Sequence, residues 1–296
     1  MKSVYKAPIA LFVYNRPWHT QLTVEALQKN ELASESELFI YSDEAKNIDA
    51  KANVDEVRRY VDNITGFKKI TVIKRDENWG LANSIIDGVT QIVNKYGNII
   101  VLEDDLVTSP YFLKYMNTAL DFYKDEESVA SIHGYIYPIE GLPDSFFIKG
   151  SDCWGWATWK NKWDIFEPSG QKLLDELTLK NLAKEADFNS SYDFTEMLKS
   201  QINGKNNSWA IRWYMSTFLR NMVTLYPGKS YIKNIGFDSQ GTHCGEIDTF
   251  NINLNTKFIF KKIKSNENLE ARKKIELFLK KTKPSILAKF KNIFQL

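Results

Sequence analysis

Residues 98–123, NIIVLEDDLVTSPYFLKYMNTALDFY, decide the fold of this 296-residue chain. Residues 99–102 form an apolar run with the length of a strand that is buried on both faces. Glu103, Asp104 and Asp105 follow at once, and Ser109-Pro110 then supplies a helix N-cap with a proline at the first helical position. The stretch predicts a buried strand, an acidic strand end and a helix in direct succession.

The same alternation of strand and helix runs through the first 137 residues. Apolar residues at helical spacing predict helices over about 20–29, 49–64 and 81–93. Further strands are predicted at 9–14, 38–41, 70–73 and 129–135. This order predicts an α/β fold, with a mostly parallel sheet covered by helices on both faces. The carboxyl ends of the strands then share one edge, where open α/β sheets bind their ligands.

The acidic triplet 103–105 would lie at that edge. Neighbouring carboxylates raise one another's pKa and resist ionisation, a cost that a divalent cation removes. Mg²⁺ or Mn²⁺ held by one or two carboxylates commonly bridges to a diphosphate. The alternative interpretation is a solvated acidic loop that caps the following helix.

Composition limits the class of protein. Hydrophobic residues make up 43% of the chain, enough for a full core. Cys153 and Cys244 are too few for a disulfide framework, and their spacing does not suggest a zinc site. We find no signal peptide and no run of about 18 apolar residues, which favours a cytoplasmic protein.

Charge divides the chain. Residues 257–296 hold twelve Lys/Arg against three Glu, a net +9, so the first 256 residues carry −7 of a total of +2. Apolar residues recur among these lysines, which favours either peripheral contact with an anionic membrane or a helix packing its apolar face on the body. An acidic body argues against nucleic-acid binding. We predict a main domain over 1–255, with halves 1–137 and 138–255, and a basic helical tail over 256–296.

Four segments in order resemble the GT-A glycosyltransferases, family-2-like and most similar to the N-acetylglucosaminyltransferase I type. They are residues 98–123, IALFVYNRP at 9–17, FIYSDE at 39–44 and NWGLANSIIDGV at 78–89. The likeness is strong over 7–137 and patchy to about 245. It implies a GT-A, Rossmann-like fold and a nucleotide-sugar donor, UDP-linked in the closest types.

The resemblance also implies donor-binding roles near the strand ends. Arg16 would contact the nucleotide or its phosphates, and Asp43 the uracil or ribose. Asn83 stands where the family keeps a base-contacting polar residue, for which histidine is usual in the closest relatives.

For the triplet, the resemblance implies three separate roles. Glu103 would face the transferred sugar, Asp104 would contact the ribose, and Asp105 would ligate Mn²⁺ or Mg²⁺. A departing diphosphate needs cationic neutralisation, which agrees with this assignment.

The segment 152–159, DCWGWATW, resembles the Gly-Trp floor of the sugar pocket. Trp154 and Trp156 would bind the apolar face of a sugar, and Asp152 would bind or deprotonate a hydroxyl. An inverting mechanism needs a carboxylate base, but the window 208–213 where the family keeps it has none. Asp152 is the first substitute and Asp238 the second.

Residues 234–245 look like the donor-closing loop of these transferases. His243 would be a second metal ligand, or else a surface or phosphate-contacting residue. His133 is interpreted as a pocket-wall or core histidine.

These features predict a metal-dependent hexosyltransferase, inverting, that moves a sugar to a glycan or lipid-linked acceptor in bacterial surface-polysaccharide synthesis. One alternative is a sugar-nucleotide nucleotidyltransferase, although residues 13–20, VYNRPWHT, lack the Gly-rich phosphate loop of that class. Another is a nucleotide-sugar-binding protein without catalysis.

Overall fold

A computed structural model describes residues 6–237 and 248–293, the side chains of the last helix through Thr282. Its strands are β1 (Ile9–Val13), β2 (Glu37–Ser42), β3 (Lys69–Lys74), β4 (Asn98–Glu103), β5 (Leu106–Thr108), β6 (Val129–His133), β7 (Ser145–Lys149), β8 (Trp156–Trp159), β9 (Val223–Pro227) and β10 (Ile232–Asn234).

Helices connect and cover these strands. They are α1 (Pro17–Gln28), α2 (Ile48–Val61), α3 (Gly80–Tyr96), α4 (Phe112–Tyr123), α5 (Lys160–Trp163), α6 (Gly170–Leu179), α7 (Ala183–Ala186), α8 (Phe194–Ile202), α9 (Trp209–Phe218) and α10 (Leu269–Ile293), with 3₁₀ turns at Ala33–Glu35 and Asp248–Phe250. Among the helices described, none combines the length and the apolar character needed to cross a bilayer.

Eight strands form one sheet in the order β3-β2-β1-β4-β8-β6-β9-β7. The first four are mutually parallel, and Ile9 of β1 lies between Leu38 of β2 and Ile100 of β4. β8 runs antiparallel between β4 and β6, while β6 and β9 are parallel. The predicted α/β class, with a mostly parallel sheet, is confirmed. β5 and β10 form a separate antiparallel pair.

Alternation along β1 shows that the sheet is covered on both faces. Ile9 and Leu11 enter one core cluster, which α1, α2 and α4 also build, whereas Ala10 and Phe12 enter another, which α3 and α9 complete. Successive strand side chains point to opposite faces, so a strand apolar at every position must be covered twice.

Residues 257–282 pack against this body. Phe258, Phe260 and Ile263 contact the first core cluster, and the backbone N–H of Ile263 donates to the hydroxyl of Tyr123 at 2.9 Å. On α10, the side chains of Ala271, Ile275 and Leu279 are buried in a third core cluster, which α6, α8 and α9 also build. In the described part of the basic segment, most apolar residues therefore face the protein, whereas Leu269 and Leu277 are exposed.

Arg272 fixes α10 in place. Its buried guanidinium pairs with Glu267 at 2.9 Å and Glu276 at 3.0 Å, and donates to the carbonyl oxygen of Glu185 at 2.6 Å. A buried guanidinium with three oxygen partners restricts the helix to one orientation.

Candidate active site

The predicted polar residues gather at the carboxyl edge of the parallel strands. Arg16 follows β1 as the N-cap of α1, Asp43 follows β2, and the triplet 103–105 ends β4. β1 pairs with both β2 and β4, which brings these three strand ends together.

Arg16 neutralises part of the triplet. Nη2 of Arg16 donates a hydrogen bond to Oδ1 of Asp104, and Nη1 lies 3.1 Å from Oδ2 of Asp105. Burial alone would lower the pKa of Arg16, but Asp104 and Asp105 raise it above its ordinary value. Arg16 therefore stays charged and contacts two of the three carboxylates.

One guanidinium does not balance three carboxylates. Burial, then the charges of Asp105 and Asp104, raise the pKa of Glu103 to about 8, although Arg16 lowers it. Burial also raises the pKa of Asp104, against the effect of Arg16. The site gains if a further cation enters, because each carboxylate then ionises at lower cost.

Asp105 is the triplet residue best placed to hold such a cation. Its side chain is 14% exposed, and its carbonyl oxygen accepts a hydrogen bond from the N–H of Ile235 at 2.9 Å. Gly236 passes so close that a Cβ there would collide with Oδ2 of Asp105. Three His, Cys, Asp or Glu side chains in metal-binding geometry are not found within 6–237 and 249–282. Asp105 would thus need oxygens from a diphosphate and from water to complete a Mg²⁺ or Mn²⁺ shell.

Asp43 accepts hydrogen bonds from residues at the start of α3. Its buried Oδ1 accepts from the backbone N–H groups of Glu44 and Trp79, and its Oδ2 accepts from the N–H of Gly80 and the side chain of Asn78. A carboxylate has about four acceptor positions, and four donors at 2.8–3.1 Å fill them. Asp43 therefore fixes the N-terminus of α3, and its contact with the uracil or ribose stays a prediction.

Replacing Asp43 with Asn is expected to lower the free energy of unfolding by roughly 2–3 kcal/mol, because an amide nitrogen would face backbone N–H donors. Urea denaturation measures this change. Asn83→Ala is the control, since Asn83 is exposed and donates only to the carbonyl of Trp79 within its own helix turn. Normal stability with a large loss of UDP affinity in Asp43→Asn would instead support the nucleotide contact. Base contact by Asn83 stays a prediction.

Asp152 follows the end of β7. Its side chain is 32% exposed, Oδ1 accepts from the N–H of Cys153 at 2.8 Å, and Oδ2 lies 3.7 Å from Nε2 of His133. Burial raises the pKa of the Cys153 thiol, and the charges of Asp152, Glu103 and Asp105 add to it. Gly236, which lies against Asp105, is followed by Phe237, whose ring packs on Trp154 next to Cys153 with centroids 5.5 Å apart.

A cavity of about 940 Å³, including its open mouth, adjoins Asp152. Trp154 also lines it and packs edge-to-face on Phe250, with ring centroids 6.0 Å apart. Tyr137 and Tyr226 also line the cavity. Burial, and then the charge of Asp152, raises the pKa of both tyrosine hydroxyls, so the phenols stay neutral. The predicted pocket position of Asp152 and Trp154 agrees with this geometry, while their roles stay predictions.

Trp156 does not reach this cavity. Its side chain has no exposed surface and packs among the rings of Trp163, Trp209 and Trp213 at centroid distances of 5.4–5.9 Å. A sugar cannot contact a ring that is covered on all sides, so the predicted sugar contact of Trp156 is wrong. Asp238 and His243 lie outside the described residues.

Three further residues contact the predicted site residues, and the sequence did not predict these contacts. Gly236 approaches Asp105, Nε2 of His133 lies 3.7 Å from Asp152, and Asn78 donates to Asp43. The sequence marked His133 as a pocket-wall or core histidine and Asn78 by its position after β3, but it indicated no partner for either.

No protein-family model matches the chain, and no curated protein matches it. Among solved structures, the mannosyltransferase PcManGT from Pyrobaculum calidifontis, with GDP-Man and Mn²⁺, matches at 11% identity and a TM-score of 0.34, over 45% of this chain and 37% of that one. S. aureus TarS 1-349 matches at 13% identity and a TM-score of 0.40, over 77% of this chain and 60% of that one. UDP-glucose pyrophosphorylase with UDP-glucose matches at 12% identity and a TM-score of 0.33, over 56% of this chain and 82% of that one.

The chain thus spans less than two thirds of the first two proteins. Because all three TM-scores lie below 0.5, the function of this chain is argued from its own residues.

Proposed function

We propose that this protein is a glycosyltransferase that uses a nucleotide-sugar donor and a divalent cation. The observation that carries the proposal is the incompletely neutralised triplet 103–105 at the carboxyl edge of the sheet. Gly236 lies against Asp105, and the next residue, Phe237, packs on Trp154, which lines the cavity that also holds the carboxylate of Asp152. A diphosphate brought by a cation suits the first feature, and an acceptor hydroxyl suits the second.

The residues divide the work of a single displacement. The bond between the anomeric carbon and the diphosphate breaks with its electron pair leaving on the phosphate oxygen, and the acceptor oxygen bonds to that carbon. Asp152 takes the hydroxyl proton, while Arg16 keeps Asp104 and Asp105 ionised. A Mg²⁺ or Mn²⁺ ion, when bound at Asp105, would neutralise the leaving diphosphate. This course inverts the anomeric configuration.

Finer points rest on the sequence resemblance. It supports UDP as the nucleotide, contacted near Arg16 and Asn83, and a hexosyl donor. It also supports a glycan or lipid-linked acceptor in the synthesis of a surface polysaccharide. Release of UDP with a glycosylated acceptor would distinguish this function from a nucleotidyltransferase, which exchanges pyrophosphate.

Removing divalent metal is expected to lower the affinity for UDP at least tenfold, and Asp105→Asn should have the same effect. Without the cation, the diphosphate would face a triplet that already repels negative charge. Calorimetry with and without Mn²⁺, and with chelator, measures the affinity. Asp121→Asn, on the exposed side of α4, is the control. Equal UDP affinity with and without metal would contradict the proposed role of Asp105.

A further inference from the structure

The wall of the cavity beside Asp152 is largely apolar. α8 contributes Phe194 and Met197, α9 contributes Ala210 and Ile211, and α10 closes the wall with Leu279. Cavities that are mostly apolar bind ligands with an apolar body and use a few polar groups to orient them.

Three polar side chains of the wall already have partners inside the protein. The hydroxyl of Tyr214 donates to the carbonyl oxygen of Ala186 at 2.6 Å, and the ammonium of Lys149 pairs with Glu185 at 2.8 Å. The hydroxyl of Ser151 is hydrogen-bonded to that of Ser131 in β6 and lies 3.1 Å from the hydroxyl of Thr224 in β9. A free sugar buried here would leave hydroxyls without partners, which is costly.

Asp152 is the carboxylate of the wall, and it lies beside His133. Oδ1 of Asp152 accepts from the backbone N–H of Cys153, whereas Oδ2 lies 3.7 Å from Nε2 of His133. Neither ring nitrogen of the fully buried His133 has a hydrogen-bond partner among the described residues. The polar end of the cavity therefore has unused capacity for one hydroxyl group.

We propose that the cavity binds the acceptor, and that the acceptor carries an alkyl or aryl body beside the hydroxyl that receives the sugar. The apolar body lies against α8, α9 and α10, and the hydroxyl lies at Oδ2 of Asp152. This inference rests on the proposed glycosyltransferase function and specifies its acceptor class.

Binding of octyl and methyl glycosides tests the proposal without donor or metal. For glucose, galactose and N-acetylglucosamine, the octyl glycoside, kept below its micelle concentration, is expected to bind at least tenfold more tightly than the methyl glycoside in calorimetry. The gain comes from burying the alkyl chain. Equal binding within all three pairs would overturn the proposal.

Variants locate the binding. Ala210→Phe, which fills the cavity, should remove the octyl preference, and Met197→Lys, at a partly buried wall position, should reduce it at least fivefold. Ala52→Phe, on the exposed face of α2, is the matched control and should keep the preference. An octyl preference that survives both wall variants would place binding elsewhere and overturn the proposal.

The two proposals can fail separately. Donor turnover with Mn²⁺ but no octyl preference would overturn the acceptor class alone. Octyl binding that depends on Ala210, in a protein that never turns over a nucleotide sugar, would support the cavity's ligand class and overturn the glycosyltransferase function.

Discussion

Asp152→Asn is expected to lower kcat for glycosyl transfer at least a hundredfold, while the affinity for UDP stays within a few-fold of wild type. A general base contributes about 10²–10⁴-fold to rate, and an amide of the same shape cannot accept the proton. The neighbouring cavity and the position of Oδ2, 3.7 Å from His133, place the carboxylate beside the proposed acceptor. Steady-state kinetics and UDP calorimetry separate the two effects.

Asp164→Asn, at an exposed ion pair with Lys160, is the matched control. Asp238→Asn, the second candidate, is expected to act mainly on the donor KM. Near-normal transfer by Asp152→Asn together with inactive Asp238→Asn would exchange the two assignments. If both variants stay active, neither is the base, and the anomer formed, read by NMR, would decide between inversion and retention.

Ending the chain at residue 255 is expected to abolish the cooperatively folded state. That cut removes Phe258, Phe260 and Ile263 from the first core cluster. It also removes Ile275 and Leu279 from the third core cluster, which α6, α8 and α9 build. Ile275 and Leu279 are buried, and each fully buried large side chain contributes about 1.5–3 kcal/mol. With the smaller contributions of the three partly buried side chains, the loss is a large part of the roughly 5–15 kcal/mol by which a whole domain is stable. Solubility and near-UV circular dichroism measure the outcome.

A chain that ends at residue 282 is the control, because it keeps every described contact of α10. It should unfold within a few degrees of the full-length protein. If the shorter chain also melts cooperatively near the full-length temperature, residues 257–282 are an appendage and not part of the core. The predicted boundary at 255, and the predicted membrane contact of the segment, stay proposals.

The parallel half of the sheet could be predicted because its strands are buried on both faces. The apolar runs at 9–14, 38–41, 70–73 and 99–102 each overlap an observed strand. What the pattern could not give is neighbour order beyond β4. β8 is four residues long and pairs with β4 across more than fifty positions of sequence, a relation that local periodicity does not record.

The site was predictable by position and less so by partner. Strand ends marked Arg16, Asp43 and Asp105, but no sequence pattern shows that backbone donors fill the carboxylate of Asp43. Trp154 and Trp156 share the spacing of one strand face, yet only Trp154 lines the cavity. Gly155 lies between them with φ +66°, where a Cβ would collide with Ile232, and it turns the chain before β8 begins.

The position of β8 between β4 and β6 also affects folding during synthesis, because β4 lacks one neighbour until β8 has been made. β3, β2, β1 and β4 can associate once residue 103 has left the ribosome, but the outer side of β4 stays unpaired until Trp156–Trp159 follow. An unpaired strand is a template for joining other chains. The last strand of the sheet to appear, β9, ends at Pro227, and α10 comes later still. Synthesis of this protein therefore passes through a long interval in which chaperone protection matters more than it does for the finished molecule.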